Sequence, residues 1–188
     1  MLQFDTQLFL FLNHALANPV CDAIFVHLTN GRFWILPGIA AALVFIFFQR
    51  RSAVVVIALA LVTVSVSDPV CNRIVKPIFH RQRPCNEQVT IPGGRFLLGH
   101  KSSDSFPSSH AANMFAQAAL LSLLYRRRRM TIITFLFAAT IAFSRVYVGV
   151  HYPLDIVGGA ILGLAVGAGV YWSYAFVMKK WNPPALRI

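Results

Sequence analysis

Five long apolar runs dominate the chain, and short polar or basic segments separate them. Each run is close to the roughly 20 residues that an α-helix needs to cross the hydrocarbon core of a bilayer. The sequence therefore predicts an all-α fold, a polytopic bundle of transmembrane helices. The predicted spans cover, approximately, residues 33–48, 53–71, 108–125, 131–148 and 156–178.

The first 30 residues are also apolar, but the pair Asn18-Pro19 interrupts them. Phe4, Leu8, Phe11, Leu12 and Ala15 recur at helical spacing, and the polar residues opposite them are Asp5, Gln7 and Asn13. This pattern favours one or two helices that lie in the membrane interface. A sixth, weakly hydrophobic span over residues 3–29 is the alternative. A signal peptide is not expected, since no Lys or Arg precedes Arg32.

Composition agrees with a membrane protein of one domain over residues 1–188. Of the 188 residues, 57% are hydrophobic and 12% are charged, and the mean hydropathy is +0.63. A soluble domain has about a quarter of its residues charged. The net charge of +11 would suit nucleic acid. The basic residues instead form short clusters at the ends of apolar runs, so we expect no nucleic-acid partner.

Residues 144–155, S-R-V-Y-V-G-V-H-Y-P-L-D, carry chemistry that the end of an apolar helix does not need. Arg145 can donate two N–H groups to a phosphate, and His151 can take up a proton or a phosphoryl group. Pro153 suits the first turn of a new helix, which would place Asp155 within reach of one nitrogen of His151. The other nitrogen would be free to attack. The alternative is that these residues only cap a membrane helix at the water interface.

Two further stretches carry complementary groups. Residues 76–84 read K-P-I-F-H-R-Q-R-P, and Lys76 and Arg83 lie where interface cations are ordinary. They open a long polar segment, residues 76–106, which we interpret as an ordered functional loop. Residues 107–110 read P-S-S-H at the start of a predicted span. A serine pair there usually caps the helix, but the unpaired N–H groups of a helix start also bind anions.

In order and spacing, the three stretches resemble the signature of the type 2 phosphatidic acid phosphatase (PAP2) superfamily, K-x6-R-P, P-S-G-H and S-R-x5-H-x3-D. One position departs from it, because Ser109 stands where the family most often has glycine. The added Cβ disfavours a positive φ and could narrow the approach of phosphate. His80 and Arg81 match no position of the signature, and we expect them to contact the loop or lipid headgroups.

The resemblance implies a site in which each motif residue has a role. His151, oriented by Asp155, would attack phosphorus to form a phosphohistidine, and His110 would protonate the leaving oxygen. The phosphate-binding groups would be Lys76, Arg83, Ser108, the Ser109 amide and Arg145. This mechanism needs no metal and no cofactor. Asp68, Glu87 and Asp104 could gather an ion, but their spacing matches no metal motif.

The substrate class implied by the resemblance is a lipid phosphate or diphosphate. The short chain and the N-terminal pattern D-x-x-L-F-x-x-L-N are similar to bacterial undecaprenyl-diphosphate phosphatases, which makes undecaprenyl diphosphate the first expectation. The alternatives are a phosphatase of phosphatidylglycerophosphate, phosphatidate or lipid A, a lipid phosphotransferase, and a membrane protein that binds headgroups without turnover. Membrane lipids are the expected surroundings, and both a monomer and a homodimer fit the sequence.

Short basic loops predict the orientation in a bacterial cytoplasmic membrane. Five spans place residues 49–51, 126–129 and 179–180 on one side, which the positive-inside rule assigns to the cytoplasm. All three motifs then lie on the periplasmic or outer side, together with all six acidic residues.

Two small-residue features predict packing rather than chemistry. Gly159, Gly163 and Gly167 form a stripe along the last span that allows close helix approach, within the chain or in a dimer.

Of the three cysteines, Cys71 and Cys85 could form a bridge in an oxidising compartment, but free buried thiols are the expectation.

Overall fold

The computed structural model describes residues 3–89 and 91–181, without the side chains of Arg51 and Trp181. All regular structure in this part of the chain is helical, which confirms the all-α prediction. The helices are α1 (Gln3–Ala15), α2 (Pro19–Leu28), α3 (Ile35–Gln49), α4 (Arg51–Pro69), α5 (Lys76–Phe79), α6 (Ser109–Tyr125), α7 (Arg128–Tyr147) and α8 (Pro153–Trp181), with a 3₁₀ turn at Gly31–Trp34 and a π-helical turn at Val70–Val75.

Four helical segments are long and apolar enough to cross a membrane. They are Gly31–Gln49, Ser52–Phe79, Arg128–Tyr147 and Pro153–Lys180. The remaining predicted span corresponds to α6, whose 17 residues lie at the centre of the bundle against α8, α7 and α4. This architecture is that of an integral membrane protein.

The second span extends beyond its predicted end at Cys71. Pro69 has no N–H group to donate, and the backbone continues through the π-helical turn into α5 instead of ending. Lys76 therefore lies on the last helical turn of this segment and not in the loop that the sequence predicts from this residue onward.

The glycine stripe of α8 faces α6. A Cβ added at Gly159 would collide with the backbone oxygen of Ser108, the N-cap of α6, and one at Gly163 or Gly167 would collide with backbone oxygens within α6. The close approach predicted from this stripe is therefore used inside the chain, and it fixes the start of α6 beside the start of α8.

The N-terminal helices form a bent pair. α1 and α2 meet at 113°, which is the geometry of a broken span or a re-entrant segment. One face of α1 is turned into the protein, because Asp5, Phe9 and Asn13 are fully buried, whereas Gln7 is exposed. Phe4 and Phe11 are 70% and 68% exposed on the opposite face. In a membrane this arrangement is favourable, since apolar side chains meet lipid and polar ones find partners within the protein.

The two ends of the bundle differ in charge. Residues 50–51, 126–129 and 179–180 lie together at the end where α3, α6 and α8 finish and α4 and α7 begin. At this end, an Nη2 of Arg126 donates to the hydroxyl of Tyr171 at 2.7 Å. All three motifs lie at the other end.

Candidate active site

His151 and Asp155 lie side by side at the junction of α7 and α8. Pro153 begins α8, so Asp155 occupies its first turn, where its Oδ2 lies 3.3 Å from Nδ1 of His151. The same oxygen accepts the backbone N–H of Tyr152 at 2.8 Å. Because a carboxylate only accepts hydrogen bonds, Nδ1 of His151 carries the proton and Nε2 has the lone pair. Both side chains are buried.

Nε2 of His151 is not free, contrary to the sequence-based expectation. It lies 2.9 Å from Nη1 of Arg83, which also donates to the carbonyl of Val150 at 2.9 Å. The Nε atom of Arg83 donates to the carbonyl and the hydroxyl of Ser103. A phosphate that draws the guanidinium away from Nε2 would release the lone pair of His151.

Burial lowers the pKa of His151 well below its usual value, and the nearby charges of Arg83, Arg145 and Lys76 lower it further. The imidazole is therefore neutral at neutral pH. The same cations act on Lys101. Burial lowers the pKa of its ammonium group, and the positive charges of Arg145 and Arg83 lower it further.

Three buried cations at this end have no carboxylate partner within the described part of the chain. Nη1 of Arg145 donates to the carbonyl and the hydroxyl of Thr29, and its Nε finds no hydrogen-bond partner among the residues described. None of the ion pairs found among residues 3–89 and 91–181 involves Lys76, Arg83 or Arg145. Burying unpaired cations is costly, so a site of this kind is suited to an anion.

Two of these cations, Arg83 and Arg145, line a cavity of about 630 Å³. Arg83, Ser109, His110, Arg145 and His151 line it, whereas Lys76, Ser108 and Asp155 lie behind its walls. The structure thus brings all the predicted site residues to one end, but in two layers. The opposite wall is apolar and comes from the 3₁₀ turn, α2 and α7, through Leu28, Trp34, Phe137 and Ile141.

The two serines at the start of α6 differ in their contacts. Ser108 is fully buried, its hydroxyl accepts the N–H of Ala111 at 3.5 Å, and its own N–H donates to the carbonyl of Asp155 at 3.0 Å. It caps the helix, as the alternative interpretation expects. Ser109 has a helical backbone and donates its hydroxyl to Oδ1 of Asn72 at 2.7 Å. Because this helical backbone has no positive φ, the Cβ of Ser109 causes no backbone strain here.

His110 is the second residue of α6 and lines the cavity. It shares that cavity with Arg83, Lys101 and Arg145, whose positive charges favour an anion there.

Arg81 is a residue that sequence reasoning missed. Its Nη1 donates to Oδ1 of Asp155 at 2.8 Å, and its Nη2 pairs with Asp5. The guanidinium also lies 4.2 Å from the ring centroid of Tyr152. Asp5 in turn accepts the N–H of Leu154 at 3.0 Å. The prediction that Arg81 contacts the loop or headgroups is thus wrong: it holds the carboxylate behind His151.

A signal for this contact was present in the N-terminal pattern. Asp5, Phe9 and Asn13 recur every four residues, and such a stripe predicts one helix face. Asn13 donates to backbone carbonyls of Arg95, Val146 and Tyr147. The whole stripe holds the segment that carries His151.

The three cysteines are free thiols, and Cys71 and Cys85 are buried. The thiol of Cys71 lies 3.6 Å from the carbonyl of Pro107 and 3.5 Å from the hydroxyl of Ser109. Within the described ranges, no three His, Cys, Asp or Glu side chains are grouped to hold a metal ion.

Comparison with known proteins identifies the family signature over most of the chain. The PAP2 superfamily pattern matches residues 50–179. The lipid A 4'-phosphatase of Bacteroides thetaiotaomicron is 34% identical over 181 residues, which cover 94% of this chain and 77% of the relative. The undecaprenyl-diphosphatase of Sulfolobus acidocaldarius is 32% identical over 165 residues, with coverage of 85% and 73%. The crystal structure of Aquifex aeolicus LpxE superposes with a TM-score of 0.63 at 28% identity, over 86% of this chain and 91% of that one.

Proposed function

Because the chain belongs to the PAP2 superfamily and is a membrane lipid phosphatase, we propose that it hydrolyses a lipid phosphate through a phosphohistidine at His151. The observation that carries this proposal is that two buried guanidinium groups, those of Arg83 and Arg145, line one cavity and have no carboxylate partner in the part of the chain that the structure describes. The opposite wall of that cavity is apolar, so an amphiphile with a phosphate at one end fits both surfaces.

In the proposed complex, Arg83 and Arg145 bind the phosphoryl oxygens directly. Lys76, in the layer behind, adds positive charge, while the N–H groups at the start of α6, including that of Ser109, point toward the anion. The Ser108 hydroxyl keeps the start of α6 in place. Such fixed donors stabilise the charge that develops as the phosphoryl group is transferred.

In the first step, Nε2 of His151 attacks phosphorus. A P–N bond forms, the bond to the leaving oxygen breaks, and His110 gives its proton to that oxygen. Asp155 stabilises the positive charge that the ring of His151 acquires. The bound phosphate supplies the negative charge that makes protonation of His110 favourable among the cations.

In the second step, water attacks the phosphohistidine. His110, now neutral, accepts a proton from the water, the P–N bond breaks, and inorganic phosphate leaves. Each group is a side chain of this one chain, so a monomer is sufficient for chemistry, and a homodimer is equally compatible with it. No step requires a metal ion or a cofactor.

For the lipid, we propose a lipid A-type 4'-phosphate first and undecaprenyl diphosphate second. This order reverses the expectation from the N-terminal pattern. It is supported by the 34% identity to the Bacteroides lipid A 4'-phosphatase over 94% of the chain. Phosphatidylglycerophosphate and phosphatidate are further candidates with the same reacting group.

We place the site at the periplasmic face of a bacterial cytoplasmic membrane, because the basic clusters lie at the opposite end of the bundle. A cysteine at position 101 should react with an impermeant thiol reagent in intact cells. One at position 128 should not react, once the native cysteines have been replaced. Reversed labelling would place the site in the cytoplasm.

The test of function is phosphate release by the purified protein from a panel of these lipids in the presence of EDTA. Release that is retained in EDTA and lost in His151→Ala supports the proposal. Loss in EDTA with recovery in Mg²⁺ would contradict it. Binding without release would indicate a headgroup-binding protein, and a phosphorylated lipid acceptor in place of free phosphate would indicate a phosphotransferase.

A further inference from the structure

The cavity has a third wall that the proposed chemistry does not use. It is polar but not cationic, and it consists of side chains from α4, the π-helical turn and α6, namely Asp68, Asn72, Ser109 and Asn113. Nδ2 of Asn113 donates to Oδ1 of Asp68 at 3.1 Å. Oδ1 of Asn113 has almost no accessible surface, and no donor among the described residues bonds to it.

This wall lies on the side of His110. Asn113 follows His110 by three residues on α6, so the two side chains share a helix face, and both line the cavity. In the proposed reaction His110 protonates the leaving oxygen. The groups beside it therefore contact the part of the substrate that carries this oxygen.

Helix packing alone does not account for Asp68. It lies within the membrane-spanning segment Ser52–Phe79, where an ionisable side chain is costly and usually functional. One turn further along α6, Gln117 joins the same two helices by donating to the carbonyl of Ala60 at 2.7 Å. That contact needs no charge and does not line the cavity.

The chemistry of the wall selects a hydrogen-bond donor. The carboxylate of Asp68 lines the cavity as an acceptor, and Asn113 holds it there with one N–H donor. A partly buried carboxylate that lacks further donors costs free energy. Hydroxyl groups next to the ester oxygen would supply those donors. A second phosphate in the same place has no proton to offer at neutral pH and would be repelled by Asp68.

We propose that Asp68, Asn72 and Asn113 form a subsite for hydroxyl groups of the leaving alcohol, a proposal that rests on the lipid phosphatase function proposed above. The subsite selects phosphate esters of a neutral, hydroxyl-bearing headgroup such as a sugar ring. It disfavours diphosphates, whose leaving group is itself an anion. The preferred substrate class is thus a phosphorylated glycolipid.

The experiment compares kcat/KM for three lipids: a lipid A with a single 4'-phosphate, phosphatidylglycerol phosphate and undecaprenyl diphosphate. Their leaving groups offer, in turn, hydroxyls without a nearby charge, a hydroxyl with a phosphodiester, and a phosphate alone. The variants are Asp68→Asn and Asn113→Leu, with Gln117→Leu as the matched control. An aryl phosphate, which lacks a headgroup, reports on the phosphoryl site alone.

The wild-type protein should prefer the three lipids in that order. Asp68→Asn and Asn113→Leu should each lower the preference for the glycolipid over the diphosphate by about ten- to a hundred-fold, the usual effect of leaving a specificity hydrogen bond unmade. Gln117→Leu should leave the ratio unchanged, and the aryl phosphate should be hydrolysed at similar rates by all folded proteins.

Two results would overturn the subsite. The first is an unchanged ratio in both cavity variants while phosphate release persists. The second needs no variant: a wild-type protein that prefers undecaprenyl diphosphate to the glycolipid. If the wild-type protein releases phosphate from none of the lipids, the proposed function fails, and this outcome is distinct from both.

Discussion

Two pairs of arginines at the same end of the bundle have opposite surroundings. Arg81 pairs with two buried carboxylates, Asp5 and Asp155, and the guanidinium of Arg95 pairs with both oxygens of Asp22. Arg83 and Arg145 are more deeply buried, yet their partners are carbonyls, hydroxyls and an imidazole. The first pair is neutralised within the protein, and the second keeps its charge for a ligand.

This difference separates positioning from binding. A guanidinium that is neutralised by carboxylates orients them, as Arg81 orients Asp155, and contributes to stability. A buried guanidinium without a carboxylate costs stability and gains it back when an anion binds. Removing an arginine of the second pair should therefore lower activity without lowering stability. Removing Arg95 from the first pair should lower stability and leave most of the activity.

The largest effect is expected from removing a cation of the second pair. Arg145→Met should lower kcat/KM by about 10²- to 10³-fold, because a fixed donor to the transition state is lost. Its thermal stability should stay the same or rise, since an unpaired buried charge is removed. Arg95→Met should keep most of the activity, but its free energy of unfolding should fall by about 1–3 kcal/mol because hydrogen bonds to Asp22 are lost.

Steady-state kinetics and thermal melts of the two variants in the same detergent provide the measurement. If Arg145→Met is strongly destabilised while Arg95→Met is not, the division into the two pairs is wrong.

A smaller effect is expected at Arg81, which acts through Asp155. Arg81→Gln should lower kcat by about ten- to a hundred-fold with little change in KM, since the histidine is misplaced while phosphate binding is kept. Arg81→Lys should recover part of the loss, and Asp5→Asn should behave like Arg81→Gln. A change confined to KM would instead indicate that Arg81 binds substrate.

The pH profile tests the charge around His151. Its pKa is lowered by burial and by the neighbouring cations, so the nucleophile stays neutral to a pH below its ordinary value of about 6.5. The acidic limb of kcat/KM should therefore lie below that value. In Arg83→Gln, which removes one positive charge, the limb should move to higher pH. The same substrate is used for both proteins, so that its own titration cancels, and a shift to lower pH would contradict the account.

The smallest effect is the stabilisation of the folded protein by an anion. Vanadate at about 100 times its dissociation constant should stabilise the protein by about 2.7 kcal/mol. Thermal melts should show this gain in the wild type and in Arg95→Met, but much less of it in Arg145→Met. Equal stabilisation of all three proteins would mean that the anion binds elsewhere.

Sequence reasoning located what depends on local spacing. The intervals within the three stretches predicted that His151 meets Asp155, and the apolar runs predicted the spans. It could not place Arg81 or Thr29, because their contacts join residues 74 and 116 positions apart. It also left the orientation of α1 open, because in a membrane the polar face of a helix can turn toward the protein, as Asp5 and Asn13 do.

Sequence reasoning also could not tell which motif residues line the cavity. The motif residues were predicted as one set, yet Lys76, Ser108 and Asp155 lie behind the cavity wall. Whether a residue lines a cavity depends on how helices pack, which spacing does not encode. Asp68 and Asn113 could have been noticed as polar residues inside predicted spans, a pattern that indicates function in membrane helices.

The two histidines have different roles in the proposed reaction, since His151 is the nucleophile and His110 is the general acid. His110→Ala should slow the hydrolysis of a lipid monophosphate by about 10²- to 10⁴-fold, the usual contribution of a general acid. With an aryl phosphate, whose leaving oxygen is a weak base, the phosphorylation step should lose less. His151→Ala should be inactive with both substrates, because it lacks the nucleophile.

The most direct measurement is the trapping of a phosphoenzyme from a radiolabelled aryl phosphate, with an alkaline quench that preserves phosphohistidine. The wild type and His110→Ala should carry label on the peptide that contains His151, and His151→Ala should carry none. Label retained in His151→Ala and absent from His110→Ala would show that the nucleophile and the acid have been assigned the wrong way round.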